Sequence, residues 1–222
     1  MIIAEQKDLE EIKEMISPYE KILLVGCGTC VSFCSAGGAK EVDALAEMIL
    51  ADRRKDGRAL IVVKSMMPRQ CSTKFIERIE KKVETVEAIL SMACGAGVQI
   101  LTKQFPEKRV LPALNTRFIG IREGEGVWAE MCKACGDCIL WRTAGICPVT
   151  RCSKGLINGP CGGASNGRCE ISKEIPCAWQ EIYHGLKRFN LLHYLKEESP
   201  EKKVFIHPDR VVREDLQSPQ GR

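Results

Sequence analysis

An α/β fold is what this sequence predicts: a small Rossmann-like parallel sheet with flanking helices, then a Cys-rich, metal-stabilised module and a C-terminal helix. Three observations lead there. Short apolar runs (KILLV at 21–25, ALIVV at 59–63) alternate with stretches whose apolar residues recur every three to four positions, the pattern of βαβ units. Turn residues such as Asp56-Gly57 separate the two kinds of segment. From Trp128 to Cys177 the chain is rich in glycine and cysteine and carries neither period.

The elements follow in order. Leu9, Ile12, Met15 and Ile16 share one face of a short first helix. A strand at 21–25 runs into the loop GCGTC, and Gly37-Gly38 precedes a second helix with Val42, Leu45, Ala46, Ile49 and Leu50 on its stripe. The strand at 59–63 leads into the loop KSMMPRQC, and Ser72 stands where it would cap a third helix with Phe75, Ile76, Ile79 and Val83 inside. A third strand near 86–92 ends in SMACGAG, and a fourth is expected near 109–114. Residues 1–122 thus read as a Rossmann-like α/β domain with one cluster site. Residues 123–195 read as a Cys-rich metal-binding module plus a helix with Trp179, Ile182, Tyr183, Leu186 and Phe189 on one stripe. Residues 196–222, charged and punctuated by proline, read as a polar tail or docking arm.

Composition narrows the function. Of 222 residues 45% are hydrophobic, enough for a core, yet no apolar run approaches the ~20 residues of a membrane span. The acidic, amphipathic start MIIAEQKDLEEIKEM has no signal-peptide core, so a soluble, cytoplasmic protein is expected. Thirteen cysteines in a reducing compartment point to metal or redox chemistry rather than disulfides. The formal charge of +4 is a poor argument for a nucleic-acid partner. Each [4Fe–4S] cluster with four thiolates carries about −2, and the cysteine-dense segment lacks the Lys/Arg density and interleaved aromatics of a nucleic-acid binder.

Ligands of open α/β sheets bind beyond the carboxyl ends of the strands. Cys27 and Cys30 follow the first strand, Cys71 the second and Cys94 the third, while Cys34 lies four residues past Cys30. Five thiols are therefore expected along one sheet edge, one more than the four an iron–sulfur cluster needs, with glycines 26, 28, 95 and 97 letting backbone N–H groups approach its sulfides. A dinucleotide loop is disfavoured, because G-C-G-T-C-V lacks the third glycine and Lys64 stands where an acidic residue would bind ribose. A C-G-T-C dithiol leaves Cys34, Cys71 and Cys94 unexplained.

A second group comprises Cys132, Cys135, Cys138, Cys147, Cys152, Cys161, Cys169 and Cys177, the number needed for two four-thiolate centres. C-x2-C-x2-C at 132–138 is how bacterial ferredoxins place three thiolates on one cluster, and Cys147-Pro148 resembles their Cys-Pro pair. The spacing favours a centre on Cys132, Cys135 and Cys138 with one distant cysteine and a second centre on the other four, without fixing the pairing. Zinc is the alternative metal here, since all-cysteine zinc sites also hold core-poor segments together. Trp128, Trp141 and Trp179 flank the cysteines, and His184, His193 and His207 are not needed as ligands. No nucleophile–base arrangement, phosphate loop or H-E-x-x-H is present, so catalytic residues are not expected.

These strings carry a resemblance. G-C-G-T-C-V-x-x-C-x-x-G-G, A-C-G-A-G-V-Q, C-x2-C-G-x-C, T-x-G-x-C-P, C-x-K-x-L-x-N-G-P-C-G-G and G-x-C-E are similar to those of the small MetV subunits of two-subunit methylenetetrahydrofolate reductases of acetogens and other anaerobes. Residues 128–195 resemble the cysteine-rich methylenetetrahydrofolate reductase C-terminal domain, with Asn158–Gly163 as the most specific string. The resemblance implies two to three [4Fe–4S] clusters, possible zinc in the C-terminal module, and no flavin in this chain. It also implies a MetF-type, flavin-containing TIM-barrel partner that reduces methylenetetrahydrofolate. This chain would relay electrons to that flavin in one-carbon (acetyl-CoA pathway) metabolism, from ferredoxin, an NADH-linked subunit or a heterodisulfide-reductase-like subunit. The chain has no room for eight βα repeats and should not reduce folate alone. The rival expectation is a zinc-stabilised structural or docking subunit of the same kind of complex.

Overall fold

A computed structural model describes residues 1–197 and Val211; the rest of the tail expected at 196–222 lies outside the described residues. The chain forms two compact units, Met1–Cys132 and a second beginning at Lys133.

The first unit opens with strand β1 (Ile2–Gln6) and helix α1 (Leu9–Ile16). Strand β2 (Lys21–Cys27), the single helical turn α2 (Cys30–Phe33) and helix α3 (Ala39–Lys55) follow. Then come β3 (Ile61–Met67), α4 (Glu77–Glu84), β4 (Ala88–Met92) and α5 (Gly95–Gln104). The last three strands are β5 (Arg109–Pro112), β6 (Leu114–Gly124) and β7 (Val127–Cys132). The expected parallel sheet is present, in the order β3-β2-β4-β5.

Alternation along the central strands divides the core into two layers. Ile22 and Leu24 of β2 with Ala88, Leu90 and Met92 of β4 pack against α1 and α3, through Ile12, Ile16, Val42, Leu45 and Ile49. Leu23 and Val25 with Ile89 face the other way, onto Ile76, Ile79, Val83 and Leu101. Helices cover both faces, which is why these strands read as continuous apolar runs. Arg53, buried at the end of α3, donates to the carbonyls of Ile16 (2.6 Å) and Tyr19 (3.3 Å), satisfying the carboxyl end of α1.

The structure corrects several expectations. Strand β3 extends to Met67, through part of what reads as a loop. Ser72 makes no side-chain cap; it precedes a 3₁₀ turn at Thr73–Phe75, and α4 starts only at Glu77. Helix α5 was not expected, because it begins Gly-Ala-Gly and buries only Gly97 and Leu101. Nor was the three-stranded antiparallel sheet, order β1-β6-β7. The chain leaves the parallel sheet at Ala113, whose N–H donates to Ser91 (2.8 Å) and whose carbonyl accepts from Lys7 (2.9 Å).

The second unit contains a 3₁₀ turn (Leu140–Arg142), the single turn α6 (Pro148–Arg151), helix α7 (Ala178–Arg188) and a 3₁₀ turn (Leu192–Lys196). Its buried core cluster is small: Cys177, Trp179, Ile182 and Leu186. Tyr183 and Phe189, expected on the same stripe, are exposed.

Gly37 shows how tightly the first cysteine loop is packed on the sheet. A Cβ there would lie 2.2 Å from the Met92 carbonyl oxygen and 2.8 Å from Val31, while the Gly37 carbonyl accepts from the Cys27 N–H at 2.9 Å. The obstacle is backbone, so it cannot swing aside. Gly37→Ala should cost about 1–3 kcal/mol, read as a lower midpoint in thermal melts; an unchanged midpoint would show that the loop is free to lift.

Candidate metal centre

The strand order places a topological switch point between β2 and β4. From β2 the chain passes to β3 on one side and then crosses back to β4 on the other. In open α/β sheets that is where ligands bind. Cys27 ends β2, Cys30 begins α2, Cys71 lies four residues beyond β3, and Cys94 is the residue before α5. Cys94 and Cys27 are close enough to act electrostatically on Cys71: partial burial raises the Cys71 thiol first, and negative charge on those two raises it further.

Cys34 is different. It is 4% exposed and belongs to the core layer that also holds α1 and α3, and its thiol donates to the carbonyl oxygens of Ala4 and Val31, both at 3.5 Å. Burial pushes this thiol up. Burial is the largest influence and outweighs the backbone groups of Ala4 and Cys34, which act the other way. Cys34 ends the helical turn, its N–H bonded to the Cys30 carbonyl at 3.2 Å as the spacing of four suggests, but its sulfur is buried while Cys30 is only half-buried.

Gln70 is a residue that sequence reasoning missed. It is fully buried; its Nε2 donates to the Val25 carbonyl (2.9 Å) and its Oε1 accepts from the Ser91 hydroxyl (2.7 Å). One amide thereby ties the residue before Cys71 to the carboxyl ends of both β2 and β4. Nothing in the string PRQC distinguishes this glutamine from a surface one. The glycine N–H groups expected to face sulfides are engaged elsewhere: Gly28 donates to Met67 (2.9 Å), Gly95 to the Thr116 hydroxyl (2.9 Å) and Gly97 to Cys94 (2.9 Å).

In the second unit, Cys152, Cys161, Cys169 and Cys177 line one cavity of about 270 Å³, together with Trp179 and Tyr183. Asn166-Gly167 forms the turn of a short hairpin, with φ of 49° and 78° and reciprocal bonds between Ser165 and Arg168. This is the conformation that the Asn-Gly pair favours, and the dipeptide was the signal for it. The hairpin brings Cys169 and Cys177 together: Cys169 N–H donates to Ile175 (2.9 Å) and Cys177 N–H to Gly167 (2.8 Å). Backbone N–H groups lower the Cys169 thiol, that of Ile171 first, with Ser153, Ser172 and Lys154 adding to it. Cys135 donates to Asp137 (3.7 Å), and Cys147 precedes α6. Trp141 is exposed and edge-on to Tyr194, His184 packs on Tyr183 and His193 on Tyr194, and His207 lies outside the described residues.

Among the described residues no three His, Cys, Asp or Glu side chains close around a single point as ligands of one ion would. No described helix is long and apolar enough to cross a membrane. Gln70→Met should leave the Val25 carbonyl and the Ser91 hydroxyl without partners, at about 1–3 kcal/mol. Melting should fall by roughly 2–10 °C, and Cys71 should alkylate faster; unchanged melting and alkylation would mean the amide does not hold this loop.

Residues 111–204 match the family model described as methylene-tetrahydrofolate reductase C terminal, leaving residues 1–110 outside the match. No curated protein and no solved structure matches the chain. The match relates the chain, through its C-terminal part, to methylenetetrahydrofolate-reductase-type proteins.

Proposed function

We propose that this chain is the iron–sulfur electron-transfer subunit of a methylenetetrahydrofolate reductase complex, a MetV-type partner to a flavin-containing MetF-type subunit. The observation that carries the reading is the arrangement at the switch point of the parallel sheet. Cys27, Cys30, Cys71 and Cys94 come from three strand ends, while Cys34 points its thiol into the core. Four thiolates suffice for a [4Fe–4S] cluster, so the donor set fits and Cys34 is the spare cysteine. The family match over residues 111–204 supports the methylenetetrahydrofolate context.

A cluster held by these thiolates would supply one-electron transfer. The chain's own residues do the positioning. Cys27 is fixed by its N–H bond to Gly37, Cys71 by the neighbouring Gln70, and Cys94 by its place at the start of α5, whose dipole favours a thiolate. Cys135, Cys138, Cys132 and Cys147 keep the ferredoxin-like order C-x2-C-x2-C…C-P in the sequence.

Cys34→Ala and Cys71→Ala separate the roles. Cys71→Ala should lose about four irons per chain, together with most electron delivery to the flavin of a MetF-type partner. Cys34→Ala should keep the iron and the rate, and lower only the melting midpoint. Flavin reduction at an unchanged rate in the iron-depleted Cys71→Ala chain would contradict the relay. Iron loss from Cys34→Ala alone would make Cys34 the ligand instead.

A further inference from the structure

We propose that the solvent-facing side of α7 is the surface on which this chain seats its reductase partner, through an acidic patch on that partner. The proposal goes beyond the relay reading above and rests on it only for the partner's identity. Helix α7 has two unlike sides. Ala178, Trp179, Ile182 and Leu186 are buried, and the Trp179 indole N–H donates to the Leu156 carbonyl at 3.0 Å, which fixes the helix to its unit. Tyr183, His184, Lys187 and Arg188 are exposed on the other side. Residues three and four apart on a helix are neighbours, so Tyr183 with Lys187, and His184 with Lys187 and Arg188, make one continuous stripe. The Tyr183 and His184 rings stand edge to face, 5.5 Å between centroids. Phe189 follows at the carboxyl end, its N–H bonded to the Gly185 carbonyl at 3.2 Å.

Two properties set this side apart from an ordinary solvated face. The first is aromatic exposure: Tyr183 is 42% and Phe189 59% exposed. A glutamate at 183 or 184 would pair with the cation four residues on, yet those positions hold Tyr and His. The second is unbalanced charge. Three carboxylates of this unit are taken: Glu181 by Arg151 at 3.2 Å, Glu197 by Arg142 at 2.7 Å, and Glu170 by Lys154. Among the described residues Lys187 and Arg188 have no carboxylate partner. Their place in the last turn favours the helix dipole, which accounts for their sign but not for the aromatic rings beside them.

Tyr, Phe and Arg with Lys at the margin is the composition of a protein interface. The free cations call for carboxylates opposite. They disfavour a second copy of this chain, because a two-fold axis through this face would set Lys187 and Arg188 against themselves. A nucleic-acid backbone is met by a longer run of cations than these two. An acidic patch on a protein is the occupant that fits. Helix α7 also lies inside residues 111–204, the part related to methylenetetrahydrofolate-reductase-type proteins, whereas residues 1–110 lie outside it. A surface carried by the shared part fits the subunit that such proteins have in common, the reductase.

The test measures binding of the full chain, purified anaerobically, to a purified flavin-containing MetF-type subunit at low and high salt. Lys187→Ala/Arg188→Ala should weaken binding about tenfold at low salt, chiefly through slower association, and differ little from wild type at high salt. Tyr183→Ala should weaken it about tenfold at both, through faster dissociation. Lys81→Ala/Lys103→Ala, which removes the same charge from the last turns of α4 and α5, should bind as wild type does. In a measurement needing no variant, Lys187 of the wild-type chain should acetylate more slowly in the complex, and Lys81 at an unchanged rate. Wild-type affinity in the α7 variants, equal weakening in the Lys81→Ala/Lys103→Ala control, or an unprotected Lys187 would overturn the surface. A dimer of the chain alone in which Lys187 is protected would overturn it in favour of a second copy. A wild-type chain free of iron that still binds through α7 removes the relay and keeps this surface. Iron and electron delivery with Lys187 unprotected remove the surface alone, and a wild-type chain that does not bind the MetF-type subunit removes both.

Discussion

Burial of β2 on both faces is the constraint on which the first unit depends. Ile22, Leu23, Leu24 and Val25 are all fully buried, alternating between the layer under α1 and α3 and the layer under α4 and α5. A slip of one residue would exchange the two layers and strand every side chain in the wrong packing. The register of β2 with β3 and β4 is therefore set by hydrophobic burial, at about 25 cal/mol per Å² of apolar surface. That register brings Cys27 beside Met67 and Gly26 beside Met92, so the residues following the three strands emerge at one edge.

Burial brings the thiols to the edge, and polar contacts choose among them. Gln70 couples the approach to Cys71 to the two central strands, and the Gly37 carbonyl holds the Cys27 backbone. Cys34 is withdrawn by the same logic in reverse: its sulfur is buried among apolar side chains and meets carbonyl oxygens, an environment for a neutral thiol. The second unit works differently. With only a small buried apolar cluster, it depends on turns, a short hairpin and α7 to bring Cys152, Cys161, Cys169 and Cys177 round one cavity.

Much of the first unit was legible because periodicity reports burial. The apolar runs at 21–25 and 86–92 and the stripes of α1, α3 and α4 are direct imprints of the two core layers. Strand order was not legible, since period says which face a residue occupies and not which strand lies beside it. Helix α5 was hidden by its glycine start, and β1 by three apolar residues at the head of a charged, helix-like stretch. The cysteine-rich nature of the candidate sites was plain from spacing, but their membership was not. Cys34 sits at a helical spacing from Cys30 that would join it to the first group, and only its burial and its contacts with the Ala4 and Val31 carbonyls set it apart.

The central claim, that these thiols hold iron–sulfur clusters for electron transfer, is tested most directly by iron, sulfide and zinc content. The sample is the anaerobically purified wild-type chain, with its visible spectrum taken before and after dithionite. The account predicts about twelve irons with matching sulfide and a broad visible band that bleaches on reduction. About one or two zincs, no sulfide and no bleaching band would contradict it and make the cysteines a structural clamp.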